Sequence, residues 1–184
     1  MSTKDNSTVS LLRAQFKGAH DFLEGTMQGV TSEQAHWTPP GLANPLGATY
    51  AHIAVSEDGI ISGMLKGSAP LFATSWEGKV GVSESPPLPG PGGAGLPSWS
   101  KWARRVRIDL PALQQYAQTV YTASDEYLAS LTDDDLNRPL DLSALGLGQH
   151  TVASLLSTAL SNVQWHCGEI ACLKGLQGVR GYPV

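Results

Sequence analysis

The sequence predicts an all-α protein, an antiparallel four-helix bundle of the up-down-down-up type with a long Pro/Gly-rich insertion between the second and third helices. Three observations carry that expectation. Apolar residues recur at three-and-four spacing in four separate stretches, the period of a helix buried along one face. Nowhere does a run alternate apolar and polar residues as a half-buried strand would. Proline, glycine and capping residues punctuate the chain between the stretches. Helices of this kind bury their stripes against one another at roughly 20° from antiparallel.

Leu12, Phe16, Ala19, Leu23, Met27 and Val30 make the first stripe, on a helix from about Val9 to Gln28. His20 lies on the edge of that face, and a core or boundary histidine hydrogen-bonded to backbone fits it better than a ligand. Thr31-Ser32-Glu33-Gln34 reads as a short capped turn, and Trp37-Thr38-Pro39-Pro40-Gly41 cannot stay helical, so the chain reverses there. The second stripe, Tyr50, Ile53, Ala54, Ile60, Ile61, Met64 and Leu65, predicts a helix from Gly47 to about Lys66 that also carries His52, Glu57 and Asp58. The segment from about 67 to 108 is the insertion. Its core, Ser85 to Pro97, is too rich in Pro and Gly for a helix or a central strand. Because Trp76, Trp99 and Trp102 flank it, a partly ordered cover is favoured over a free linker.

Asp109-Leu110-Pro111 supplies an N-cap and an early proline for the third helix, whose stripe is Leu113, Tyr116, Ala117, Val120, Tyr121, Tyr127 and Leu128. Asp133-Asp134-Asp135 lacks the alternating oxygen ligands and closing glutamate of a calcium loop, and reads as the start of a turn or short helix. Asp141 to Gly148 is a short loop or ribbon. Thr151 then caps a long fourth helix with Leu155, Ala159, Val163, Ile170 and Leu173 on its buried side; Asn162 and His166 fall on that same stripe.

A chain of 184 residues suffices for one domain with its own core, so a single domain spanning 1–184 is expected. The formal charge of −4 and the scattering of 12 Lys and Arg argue against nucleic acid, which needs a basic face; Lys101 to Arg107 is the one basic cluster. Cys167 and Cys172 lie about 140° apart around one helix and cannot readily pair. The first residues are polar and no run reaches the roughly 18 apolar residues of a membrane span. The expectation is a cytoplasmic protein with reduced thiols and no membrane partner.

In bundles, metal sites are built from side chains that rigid helices project inward. His52 on the second helix and His166 on the fourth meet that requirement. Asn162, one turn before His166, can point into the same space. Two imidazoles suit zinc, nickel, iron or copper, but a catalytic site usually has three protein ligands. Asn162 offers only a neutral amide oxygen, and Glu169 could serve either as a carboxylate ligand or as support for His166. Glu57 and Asp58 could support the site as well, although an ideal helix turns them away from His52. Cys167, about 100° around the helix from His166, reads as a small core residue rather than a nucleophile.

Trp37-Thr38-Pro39-Pro40-Gly41, Asn44-Pro45-Leu46-Gly47, Tyr50-Ala51-His52-Ile53 and Ser56-Glu57-Asp58 resemble the first half of the DinB-like family, damage-inducible bundles unrelated to the polymerase of similar name. Thr151 to Leu156, Asn162 to Ile170 and Gly178-Val179-Arg180-Gly181-Tyr182-Pro183 resemble its last helix and tail. The family typically places one histidine on helix two and a His-x-x-x-His pair on helix four. Carried over, these positions are His52, Asn162 and His166, with asparagine standing where the family has a histidine. The resemblance implies a divalent metal, often nickel or zinc, and in some relatives transferase or isomerase chemistry with low-molecular-weight thiols. Two functional expectations follow. One is a metal-dependent transferase or hydrolase of small molecules; the other is a metal-free binding or interaction protein on a degenerate bundle. A homodimer is a further expectation, because such bundles often pair through exposed helix faces.

Overall fold

Helix α1 (Ser7–Met27) follows the first apolar stripe and buries Val9, Phe16, His20, Leu23 and Met27. The structure is a computed structural model and describes residues 7–87 and 95–184, the side chains of 95–97 apart; the polar first residues and the middle of the Pro/Gly-rich run lie outside the described residues. The expected capped turn is the short helix α2 (Ser32–His36), where Thr31 and Gln34 exchange side-chain and backbone hydrogen bonds in a capping box. Helix α3 (Leu46–Asp58) starts directly after Pro45. Its close approach to α2 depends on Gly47, whose missing Cβ would lie 2.9 Å from the carbonyl oxygen of Ala35.

One correction concerns the second stripe. The α-helix stops at Asp58 and continues as a π-helical segment, Gly59–Leu65. The wider turn carries Ile60, Ile61, Ser62 and Leu65 inward together, whereas 3.6-residue spacing would spread those neighbours around the helix.

The insertion holds more regular structure than its composition predicts. Helix α4 (Gly95–Ala103) begins inside the Pro/Gly-rich run, with Pro97 in its first turn, where a proline costs no hydrogen bond. Val82 bridges Ile108 in antiparallel fashion, and Gly81, at φ +86, has no room for a Cβ, which would lie 2.6 Å from the backbone nitrogen of Leu113. Two arginines of the basic cluster serve the same closure. Arg104 donates to the carbonyls of Gly41 and Ala43, and Arg105 pairs through two bonds with Glu84. His36 adds a further tie, its Nε2 accepting from the Ile108 N–H at 2.9 Å.

Helix α5 (Leu110–Ser130) is capped by Asp109 with Pro111 in its first turn, as its sequence predicts. A short 3-10 turn covers Asp133–Asn137, and the expected ribbon is strand β1 (Pro139–Asp141) paired antiparallel with strand β2 (Gln149–Thr151). Thr151 and Ser154 then form the capping box of helix α6 (Val152–Leu176). The fold is thus all-α apart from this ribbon. Helix α1 packs on α5 and α6, and α3 packs on the same two, so the α1–α5 and α3–α6 seams lie on opposite sides of the molecule.

The core is cut in two by a polar layer. One apolar cluster contains Leu23, Tyr50, Val55, Tyr121 and Val163; the other contains Phe16, Ile60, Leu128 and Leu160. Between them along α1, α3 and α5 stand His20, Glu57 with Asp58, and Ser124, all buried. His20 Nε2 lies 2.9 Å from Glu57 Oε2, and Ser124 donates to Glu57 Oε1 at 2.5 Å. Asp58 accepts from the hydroxyls of Ser62 and Tyr116 and from the Phe72 N–H. His20 is therefore a core histidine, as expected, but its partner is the Glu57 carboxyl group rather than the backbone, because buried polar atoms must find hydrogen-bond partners inside the fold.

Candidate functional site

Position 52 lies on the α3 face turned toward α6, one turn before Ser56, and position 166 lies on α6 one turn after Asn162. The seam brings the two imidazoles together edge to face, with ring centres 4.9 Å apart and planes at 88°. Each ring is held from behind. His52 Nδ1 lies 3.2 Å from the Ser56 hydroxyl, and His166 Nδ1 lies 2.7 Å from Glu169 Oε2. A carboxylate only accepts, so Nδ1 of His166 is the nitrogen that donates to Glu169, and Nε2 is the ring atom turned to other partners. Asn162 stands close enough to His52 for its side chain to raise the His52 pKa, against the effect of burial.

Trp99 of α4 covers one side of His52, ring centres 4.6 Å apart. Trp102 packs behind Trp99 and is anchored by its indole N–H, which donates to the Glu84 carbonyl at 3.0 Å. The insertion is thus a cover over His52, while the His166 side chain stays 30% exposed.

Burial, with His166 close by, lowers the pKa of His52 to about 4, against the opposing effects of the Asn162 side chain and the Glu169 charge. The imidazole is neutral at pH 7. In the unfolded chain it titrates near 6.5. Between pH 6.5 and 4 the unfolded chain binds a proton that the folded chain refuses, so this contribution to stability is complete above 6.5 and falls as the pH drops. Wild-type protein is expected to lose about 2 kcal/mol through His52 between pH 7 and pH 5. Urea unfolding at the two pH values measures it. His52→Gln should lose correspondingly less, and an unchanged loss in that variant would assign the acid sensitivity to another group.

The residues singled out from sequence thus divide. His52, Asn162 and His166 come together, and Glu169 stands beside them as the hydrogen-bond partner of His166. Glu57 and Asp58 do not take part, being committed to the polar layer. Cys167 is buried in the core and Cys172 is exposed, both as free thiols. Sequence reading expected a partly ordered cover flanked by Trp99, but it gave neither the Ser56 contact nor the packing of Trp99 on His52. Ser56 was within reach of the helical i, i+4 rule, whereas the Trp99 contact spans the insertion and has no local signal.

The family model described as the DinB superfamily matches residues 15–170. The chain belongs to the DinB superfamily. A solved structure of similar fold is the crystal structure of a conserved protein from Enterococcus faecalis, with a TM-score of 0.74, 19% sequence identity, and coverage of 94% of this chain and 96% of that one. At that identity the likeness speaks for the fold alone. No curated protein matches the sequence. No helix among the described residues of this DinB-superfamily chain is long and apolar enough to cross a membrane.

The donor set can be weighed against a metal directly. Two neutral imidazoles bound to one ion through bonds of about 2 Å have ring centres about 5 Å apart, which the observed spacing allows. Among the described residues no group of three His, Cys, Asp or Glu side chains gathers around one point. The ring spacing thus admits an ion shared by two imidazoles, without a third His, Cys, Asp or Glu ligand among the described residues.

Proposed function

We propose that this DinB-superfamily chain is a divalent-metal-dependent enzyme acting on small molecules, a thiol-dependent transferase or a hydrolase on an up-down-down-up bundle. His52 and His166 would hold nickel or zinc, with Asn162 as a weaker third ligand. The observation that supports this most is the meeting of two oriented imidazoles 4.9 Å apart, one of them held neutral by burial. A divalent ion bound there supplies Lewis-acid polarisation and favours the deprotonated form of a bound water or thiol. Ser56 and Glu169 fix the rings and leave their other edges for the ligand role. Trp99 keeps water from one side of His52, and a small molecule reaches the site past the exposed edge of His166.

A metal-free binding or interaction protein is the second reading, and Asn162 favours it because a neutral amide stands where a third strong ligand would be needed. Elemental analysis of protein purified without chelators tests the first reading, with stoichiometric nickel or zinc expected. Asn162→His separates the two. If the three positions converge on an ion, the new imidazole should tighten zinc binding by tenfold or more, about 1.4 kcal/mol. Unchanged affinity together with metal-free purified protein would favour the second reading.

A further inference from the structure

A second concave site lies across the molecule from His52 and His166. Helices α1 and α5 diverge at the surface to leave an open groove of about 630 Å³, lined by Phe16, His20 and Glu24 on one side and by Gln118, Tyr121 and Thr122 on the other. Its floor is aromatic. His20 stacks on Tyr121 with ring centres 3.8 Å apart, and Phe16 meets His20 edge to face at 5.8 Å.

Charge sets the class of ligand. Arg13 is committed to Asp125 through two bonds of 2.8 Å, and Lys17 to Asp21. With both cations neutralised, the carboxylates of Glu24 and Glu126 remain in the groove with no Lys or Arg partner among the described residues, His20 being the one basic side chain that acts on Glu24. Glu24 Oε1 accepts from the hydroxyls of Tyr50 and Tyr121 at 2.7 and 3.0 Å, while Oε2 accepts no hydrogen bond among the described residues. Burial raises the Glu24 pKa, the two tyrosine hydroxyls acting the other way, so a cationic ligand would relieve the cost of its charge. An anion would meet two unneutralised carboxylates.

We infer that the α1–α5 groove is a binding site for a small organic cation, an ammonium group on an apolar or aromatic body. The ammonium group would pair with Glu24 Oε2, and the body would lie along Phe16, His20 and Tyr121. Aromatic walls beside a carboxylate suit such a ligand, since the ring faces also attract the cation. The inference does not rest on the metal reading, because no groove residue belongs to the α3–α6 seam.

Three probes of one shape test it on the wild-type chain: 3-phenylpropylammonium, 3-phenylpropan-1-ol and 3-phenylpropanoate, each titrated into isotopically labelled protein and followed by amide chemical shifts. The ammonium is expected to bind about tenfold tighter than the alcohol, the carboxylate to bind most weakly, and the shifts to map to residues 13–24 and 118–126. Equal affinity for alcohol and ammonium would overturn the inference, as would tighter binding of the carboxylate or shifts confined to the His52–His166 seam. Glu24→Gln keeps an acceptor for both tyrosines and removes the charge. It should weaken the ammonium about tenfold and leave the alcohol unchanged, and unaltered ammonium binding would overturn the role of Glu24. The wild-type comparison decides the matter even if that variant does not fold.

Discussion

Glu57→Ala is expected to destabilise the protein by about 3–5 kcal/mol, because two buried polar groups lose their hydrogen-bond partner, at about 1–3 kcal/mol each, and a cavity is left behind. Glu57 is 1% exposed, and its two oxygens are divided between Ser124 and His20. Alanine would remove the partner of two buried polar groups at once and leave a cavity where the two apolar clusters of the core meet. No water can replace the lost acceptor without entering that layer. Glu57→Gln retains the shape and one acceptor oxygen, so a smaller loss, about 1–2 kcal/mol, is expected. Urea unfolding monitored by helix content measures both. A loss below about 1 kcal/mol for the alanine variant would mean that the layer is not closed as described and that water already reaches it.

The second large effect concerns the paired histidines. If His52 and His166 hold an ion, zinc or nickel at a hundredfold excess over the dissociation constant should stabilise the wild-type protein by about 2.7 kcal/mol. For a chain of this size that corresponds to a rise in Tm of roughly 5–10 °C. His52→Ala or His166→Ala should each abolish most of that rise, since removing even a residue that merely supports a ligand lowers affinity about 10–100-fold. Glu169→Gln, which keeps a hydrogen-bond acceptor for His166 without the charge, should retain an intermediate fraction. Thermal scans with and without added metal provide the measurement. If both alanine variants keep the full metal-dependent rise, the ion binds elsewhere; if the wild type shows none, the metal-free reading gains.

The homodimer expected from sequence would need an exposed helix face, and α6 presents one in Trp165, Cys172 and Leu176. These residues are one helical face turned away from both neighbours of α6, and they play no part in the arguments above.

Helix stripes, caps and turns are local properties, written in residues three or four apart. That is why α1, α5 and α6, the capping box at Thr31 and the caps at Asp109 and Thr151 were legible before any coordinates. His166 was legible for the same reason, since it falls on the stripe of its helix, and His52 was legible as a histidine carried by the second helix. The family resemblance supplied the pairing that periodicity alone does not. The polar layer was not legible. His20 and Glu57 are 37 residues apart, and Glu57 and Ser124 are 67 apart. Nothing in the spacing of either pair says that they touch, and Glu57 read as a supporter of His52 because it is near it in sequence. A cover was expected from the flanking tryptophans, but its helix and its contact with His52 escaped for a related reason. Composition placed a loop from Ser85 to Pro97, yet Gly95 onward is helical because Trp99 and Trp102 find apolar partners in His52 and the core. The groove of Glu24 also depends on how far two helices stand apart, a distance no residue pattern encodes. Local periodicity thus settled which segments are helices and which faces they bury. Packing in three dimensions alone decided which buried polar groups became partners, because a buried polar group takes whichever partner the fold brings within reach.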